Sequence, residues 1–358
     1  MIVALIALVT GATLVETKPV VKWQKCTKSG CTTVTGSVTT DFESRGEKKS
    51  DHTAAVDYVQ QLGVESTGDM LSQKLVTIYN GKKNVGSRLY LLDPTGEKYQ
   101  MFYLVNHEFT YTVDLSECPC GMNAAIYTSE MAAEGAGLGP KFGQGYCDAN
   151  YVGVDERGCA EFDIMEANTR AITFTTHPCS KLKQNVKNTV QCMPDGCGFN
   201  AYRYGGRTFY GPGATYKVDS TKKITVVTQF ISSDGTDKGD LVEIRRLYVQ
   251  GGKVIPNAKV SVYNSGEFDS ISDKFCRTAG HQIDGYHALS FMGQSFKNGH
   301  ALIFSLWDAN DGMTWLDAGE YGPCPGSPAE TGAAIEAAHP NLRVYWSGIK
   351  YGDLDSTY

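Results

Sequence analysis

Three carboxylates fall within six positions at Glu161, Asp163 and Glu166, in the run Glu-Phe-Asp-Ile-Met-Glu-Ala that ends at Ala167. Phe162, Ile164 and Met165 suit a strand in a packed sheet, so Glu161 and Asp163, two residues apart, project from one face. Glu166 lies five residues from Glu161, an odd interval that sends it to the opposite face of a regular strand. It joins the other two only through a β-bulge or at the strand's end, and bulges concentrate beside active sites. The chemistry that wants such a trio is glycoside hydrolysis with retention, in which two carboxyl groups roughly 5 Å apart serve as nucleophile and acid/base. Crowding like charges raises the pKa of one, which keeps its proton for the leaving oxygen while its neighbour stays ionised to attack. Asp163 is then the orienting partner, hydrogen-bonded to the nucleophile. A solvated polar edge strand and an acidic calcium site also fit these seven residues.

The elements that position them read as strands. Phe109, Tyr111, Val113 and Leu115 alternate with Thr110, Thr112 and Asp114, the period of a half-buried strand. Similar runs cover Arg88–Leu92, Tyr99–Val105, Ala124–Met131, Ala171–His177, Lys223–Ile231, Leu241–Gln250, His300–Trp307 and Leu342–Tyr351, most of them separated by Gly, Asn, Asp or Pro turns. Helix candidates are Ser50–Leu62 and Pro328–Ala338. Many strands with few helices predict an all-β sandwich or barrel.

The 358 residues show no dividing linker, and the net charge of −6 comes without a basic run. Nucleic acid and anionic membrane are therefore not expected as partners, whereas a neutral polymer needs no charged groove. Ile2–Val9 is a short apolar stretch followed by Thr10, Gly11 and Ala12, the pattern of a secretory leader cut near residues 12 to 17, and too short to span a bilayer. Residues 1–17 are expected to form that leader and 18–358 a single domain. Eleven cysteines agree with an oxidising compartment, and the odd count leaves one thiol unpaired. Zinc competes for Cys118-Pro-Cys120 and Cys192-x4-Cys197, but neither has a second ligand pair at a familiar spacing, and no metal is expected. Twenty tyrosines and the exposed-looking Trp307 and Trp315, in a polar loop after a strong strand, suit a saccharide cleft, since sugar rings present apolar faces that stack on aromatic rings. Trp23 and Trp346 read as structural.

These residues, with the blocks around them, resemble glycoside hydrolase family 7, the retaining cellulases comprising endoglucanases and cellobiohydrolases. The resemblance rests on Trp23-Gln-Lys-Cys26, Asn84-Val-Gly-Ser-Arg-Leu-Tyr90, Pro119-Cys-Gly-Met-Asn-Ala-Ala-Ile-Tyr127, Gly145-Tyr-Cys-Asp148, Glu161–Asn168, His177-Pro-Cys179, Asp195-Gly-Cys197, Phe209-Tyr-Gly-Pro-Gly213, Thr225-Val-Val-Thr-Gln-Phe230 and Ser305-Leu-Trp307, in order along most of the chain. It implies a jelly-roll, concanavalin-like β-sandwich with a long substrate cleft on its concave sheet. It also implies Glu161 as nucleophile, Asp163 as its assistant and Glu166 as acid/base, with Tyr127, Asp148 and His177 lining the centre. Trp307 and Trp315 match sugar platforms, and Arg203 is a candidate for the product side. No cofactor is implied; the expected partner is cellulose or another β-glucan, met by a secreted monomer. Laminarinase-type glycosidases share the sandwich and the acid spacing but lack the Tyr-Gly-Pro-Gly block and the cysteine pattern.

Carrying over the family's bridges pairs Cys26 with Cys31, Cys120 with Cys324, Cys179 with Cys192 and Cys197 with Cys276. The family has two adjacent cysteines before the acidic motif, where this chain has Gly158 and Cys159. Cys147 and Cys159 have thus lost their usual partners and are expected to pair with each other, leaving Cys118 free. The Thr40–Val64 segment is short and free of Trp, the Tyr146–Cys159 loop is short, and the insert before Cys192 lacks the product-side arginines of cellobiohydrolases. An open cleft and endo-action are therefore expected, with cellobiohydrolase action as one alternative and a catalytically silent β-glucan-binding protein as another. The length of Ala288–Phe296 and the segment before it leaves room for one loop roofing the cleft. With no Ser/Thr/Pro linker or binding module after Asp353, the grip on cellulose is expected to come from the cleft.

Overall fold

A computed structural model describes residues 14–46, 52–152, 156–183, 185–186 and 191–358. Twelve strands carry the architecture: β1 (Val20–Thr27), β2 (Gly30–Thr40), β3 (Ser87–Leu92), β4 (His107–Asp114), β5 (Met122–Ser129), β6 (Glu161–Ala167), β7 (Ile172–His177), β8 (Cys197–Phe199), β9 (Ile224–Ser232), β10 (Leu241–Gln250), β11 (His300–Asp308) and β12 (Arg343–Asp353). One layer runs β2-β3-β11-β5-β6-β7-β8, antiparallel throughout. The other runs β1-β12-β4-β9-β10, with β1 and β12 its parallel pair. The β1–β2 hairpin joins the two at one edge.

The alternating apolar residues of both layers meet in one buried cluster. Phe162 of β6 packs edge-on against Phe230 of β9 at 5.3 Å, and Phe304 of β11 lies 5.9 Å from Trp346 of β12. Burying each such ring is worth about 1.5–3 kcal/mol, and the pairings fix which face of each strand is turned away from solvent. Trp23 is also buried in this core. The other face of the first layer carries a smaller apolar cluster, including Tyr90, Leu92, Ala125 and Ile303, beside its polar side chains.

Each expected strand run contains a strand, although Tyr99–Val105 keeps only Met101–Phe102. There Tyr99 bonds to Ala133 outside the ladder, and the chain turns at Asn106 with φ 60°. The Ser50–Leu62 helix is a misreading: residues 50 and 51 lie outside the described residues, and 52–62 hold a short 3-10 piece at 52–53, irregular chain and a turn over 58–62, with no α-helix. Asp57 caps the N–H groups of Val59 and Gln60, and Tyr58 and Leu62 are drawn into the core just before the next strand. Pro328–Ala338 divides at Thr331 into a 3-10 turn and the helix Gly332–Ala338. Three α-helices escaped the sequence reading, α1 (Asp273–Thr278), α2 (Leu289–Asn298) and the single turn α3 (Thr314–Asp317). The second covers the segment read as a possible roof, yet Leu289, Met292 and Phe296 are buried in the core, and Gly293 gives the helix its close approach to Leu241 of β10.

Residues 1–13 of the expected leader lie outside the described residues, and Glu16, inside its expected bounds, is folded onto the body. Its carboxylate takes two 2.8 Å hydrogen bonds from the buried Arg45 and one from the Tyr58 hydroxyl. Five disulfides are present, Cys26–Cys31, Cys120–Cys324, Cys147–Cys159, Cys179–Cys192 and Cys197–Cys276, with Cys118 buried and free. All five match the pairings expected from the resemblance and its departure.

Candidate active site

The odd interval to Glu166 is resolved by a bulge. Along β6, Asp163 pairs with Thr175 of β7, whereas Glu166 pairs with Thr173, so Ile164 and Met165 together oppose the single residue Phe174. On the β5 side the register slips at the same place, between Ile126/Met165 and Tyr127/Asp163. Ile164 and Met165 both turn into the core. The extra residue restores Glu166 to the face of Glu161 and Asp163, and all three line one cleft of about 1030 Å³.

Each acid has a different partner. Glu161 Oε2 accepts the Ala149 N–H at 3.0 Å. Asp163 Oδ2 meets His177 Nε2 at 2.8 Å, and His177 Nδ1 meets the Met193 carbonyl at 2.9 Å. The hydrogen bond of Asp163 goes to His177, which donates from Nε2, and not to the expected partner Glu161. Gly196 keeps this arrangement open: at φ +59° it adopts a conformation other residues resist, and a Cβ there would lie 2.6 Å from His177 Cε1. Glu166 Oε1 accepts from Asn123 Nδ2 at 2.8 Å, from two residues before its cross-strand neighbour Ala125.

Burial, then the charge of Asp163, pushes the Glu166 carboxyl up to about 8, against the Asn123 hydrogen bond. Burial and the charges of Asp163 and Asp148 push Glu161 well above the usual carboxylate range, while His177 and the Ala149 N–H act in the other direction. At His177 burial disfavours the cation, but the hydrogen bond and charge of Asp163 prevail and raise it to about 10. Four carboxyl groups therefore share one imidazolium, and burial is the main cause that raises Glu161, Glu166 and Asp148 above the ordinary carboxylate range.

The other expected residues line the same cleft. Tyr127 and Tyr146 share a 3.0 Å hydroxyl contact, and Asp148 accepts the N–H groups of Asn150 and Val152 at 2.9 Å. The Cys147–Cys159 bridge closes the loop that carries Asp148 and Ala149. Trp307 and Trp315 stand 37% and 44% exposed with their rings 6.3 Å apart and 27° from parallel, two apolar surfaces offered to solvent. Arg203 lies over the Tyr321 ring at 4.8 Å and pairs with Glu320 at 3.2 Å. Sequence reasoning missed Asn123, Ala149, Arg88 and Tyr146. Asn123 and Arg88 sit inside blocks that carried the resemblance but have no chemistry legible from spacing, and Ala149 acts only through its backbone. Among the described residues one cluster has metal-ligand proximity, Cys120, Cys324 and Glu330, and its two sulfurs are bonded to each other.

A jelly-roll sandwich with a carboxylate cluster in an aromatic-edged cleft defines a glycoside hydrolase, and comparison with known proteins places it more closely. The family model described as "Glycosyl hydrolase family 7" matches residues 47–154 and 151–358, and the chain belongs to that family. It is 42% identical over 321 residues to a probable endo-beta-1,4-glucanase celB of Aspergillus clavatus, covering 83% of this chain and 75% of that protein. The endo-beta-1,4-glucanase celB of Aspergillus oryzae is 40% identical over the same share of this chain and 76% of its own. Among solved structures, an endoglucanase I complexed with cellobiose superposes with a TM-score of 0.88 at 30% identity, covering 97% of this chain and 99% of that one. A family 7 cellobiohydrolase from Daphnia pulex gives 0.86 at 32% with the same coverage.

Proposed function

We propose that this protein is a secreted, retaining endo-β-1,4-glucanase acting on cellulose as a monomer. The observation that carries the reading is the bulge at Ile164, which brings Glu161, Asp163 and Glu166 onto one face of one cleft. Glu161 attacks the anomeric carbon as the Glu166 proton passes to the leaving glycosidic oxygen. A glycosyl-enzyme ester forms and the C–O bond to the departing chain breaks. Glu166, now ionised, takes a proton from water, whose oxygen attacks the same carbon and releases Glu161. Asp163, paired with the His177 cation, holds negative charge beside the reaction centre, and the Ala149 N–H orients the attacking carboxylate. Trp307 and Trp315 supply stacking surfaces for glucosyl rings, and Arg203 contacts the departing side.

Endo-action is favoured by the names of the sequence relatives and by the short Thr40–Val64 and Tyr146–Cys159 segments; Leu289–Asn298 packs into the core as a helix, while His281 in the segment before it lines the cleft. The cellobiohydrolase likeness is the competing reading, and a viscosity assay on a soluble cellulose derivative separates the two. Rapid loss of viscosity per reducing end released is expected, and cellobiose release with little viscosity loss refutes endo-action. Glu161→Gln is expected to abolish hydrolysis while leaving cello-oligosaccharide binding intact, and an unchanged rate removes the nucleophile assignment. Secretion accords with five disulfides. A leader cut that preserves the Glu16–Arg45 contact falls before Glu16, which N-terminal mass spectrometry of the secreted protein tests.

A further inference from the structure

Arg246 is among the largest fully buried side chains of the molecule, at 1% exposure in the core between the two layers. It stands on β10, in the layer remote from the cleft, and makes no ion pair with a carboxylate among the described residues. Its Nη2 donates instead across the core to the backbone carbonyl of Ile164. Its guanidinium lies over the Phe174 ring at 4.2 Å, with the Tyr248 hydroxyl as a further neighbour. Nε and Nη1 are without a hydrogen-bond partner among the described residues.

Stability alone does not account for a cation in that position. Burying a charge without a counter-ion is costly, and a well-packed apolar residue of similar volume serves a core as well or better. What Arg246 touches is more specific. Ile164 is the added residue of the bulge, and a bulge leaves a backbone group without its ladder partner. Phe174 is the residue opposite that bulge on β7. The arginine thus holds the displaced carbonyl and packs on the ring facing it, both from behind the sheet. In the competing register without the bulge, Met165 takes the cleft face and Glu166 turns into the core.

We propose that Arg246 is a positioning residue for the reaction: it stabilises the bulged register of β6 and so sets where Glu166 stands relative to Glu161. The inference rests on the reading of Glu166 as acid/base and goes beyond it by assigning that geometry to a side chain of the opposite layer. Arg246 touches neither substrate nor the reacting atoms. Its loss should therefore resemble a misplaced acid and not a general loosening.

The test compares Arg246→Met, Arg246→Lys and Glu166→Gln on two substrates, a cello-oligosaccharide whose leaving group needs protonation and a 2,4-dinitrophenyl cellobioside whose leaving group does not. For Arg246→Met, kcat/KM on the oligosaccharide is expected to fall on the order of tenfold to a hundredfold, within the range that general acid catalysis supplies. Glycosylation by the dinitrophenyl substrate, read as the burst of dinitrophenol, should change by less than about threefold if only the acid is misplaced. Arg246→Lys, which keeps a donor, should recover part of the loss, and it carries the same comparison should the Met variant fail to fold. Equal losses on both substrates, or no loss on either, overturn the proposal. If Glu166→Gln itself shows no such leaving-group dependence, the acid/base reading fails instead, and the two failures are distinguished.

Discussion

At the scale of residues, the cluster trades stability for chemistry, and the trade has a sign. Glu166 in the folded protein holds its proton up to about 8, whereas a glutamate in the unfolded chain releases it near about 4.3. Between those values the native state binds more protons than the unfolded one, so stability falls as pH rises through the window. Glu166→Gln removes the term: its melting temperature is expected to exceed that of the parent by a few degrees at pH 7 and to match it near pH 4, as scanning calorimetry can show. The same carboxyl sets the alkaline limb of kcat/KM, which should fall through about 8 in the free enzyme. Asn123 donates to Glu166 and favours its ionised form, so Asn123→Ala should move that limb to higher pH while lowering kcat about tenfold through lost orientation. A limb that moves to lower pH contradicts the arrangement.

At the scale of elements, the acids were legible because strand geometry is strict. A period of two made the interval from Glu161 to Glu166 an anomaly that called for a bulge or the strand's end, and of the two it is a bulge, at Ile164, that occurs. The sandwich was legible for the same reason, from alternation in Phe109–Leu115 and its counterparts. What failed were helices whose evidence lies in tertiary contact. Ser50–Leu62 has capping residues, but Tyr58 and Leu62 are needed in the core, and the chain obeys them. Leu289–Asn298 holds two glycine-like liabilities, Gly293 and the exposed Asn298, yet becomes a helix because Leu289, Met292 and Phe296 find a sheet to pack on. The Ala149 N–H and the Arg246 contact were illegible, since neither follows from spacing within one segment. The Cys147–Cys159 loop tests this scale directly. Its bridge closes 12 residues around Asp148 and Ala149, and replacing both cysteines with serine should cost about 2–3 kcal/mol of stability. Activity should fall further than the unfolded fraction explains, measured well below the melting temperature, because the donor to Glu161 loses its tether.

At the scale of the whole molecule, two charge systems at opposite ends of the pH range bound its stability. Burial at Glu16 works against the carboxylate, but its hydrogen bonds from Arg45 and Lys18 prevail and lower it to about 2. A depressed carboxylate contributes stability that is present above its unfolded value and lost as pH falls toward the folded one. That contact ties the segment before β1 to Arg45, which also donates to the carbonyls of Lys141 and Phe142 beside the Tyr146–Cys159 loop. Discounted for the solvent that still reaches Glu16, it is worth about 1–2 kcal/mol. The acid cluster acts in the opposite sense, losing stability as pH rises toward 8. A plot of melting temperature against pH should therefore peak in the mildly acidic range, with Glu16→Gln lowering the neutral side and converging with the parent near pH 2 to 3, and Glu166→Gln lifting the neutral side and converging near pH 4. In the double variant the two effects should add, because Glu16 and Glu166 share no partner. A parent curve that keeps rising to pH 8 would show that the cleft carboxyls ionise without penalty, and with that the protonated state of Glu166, on which its role as acid depends, would be lost.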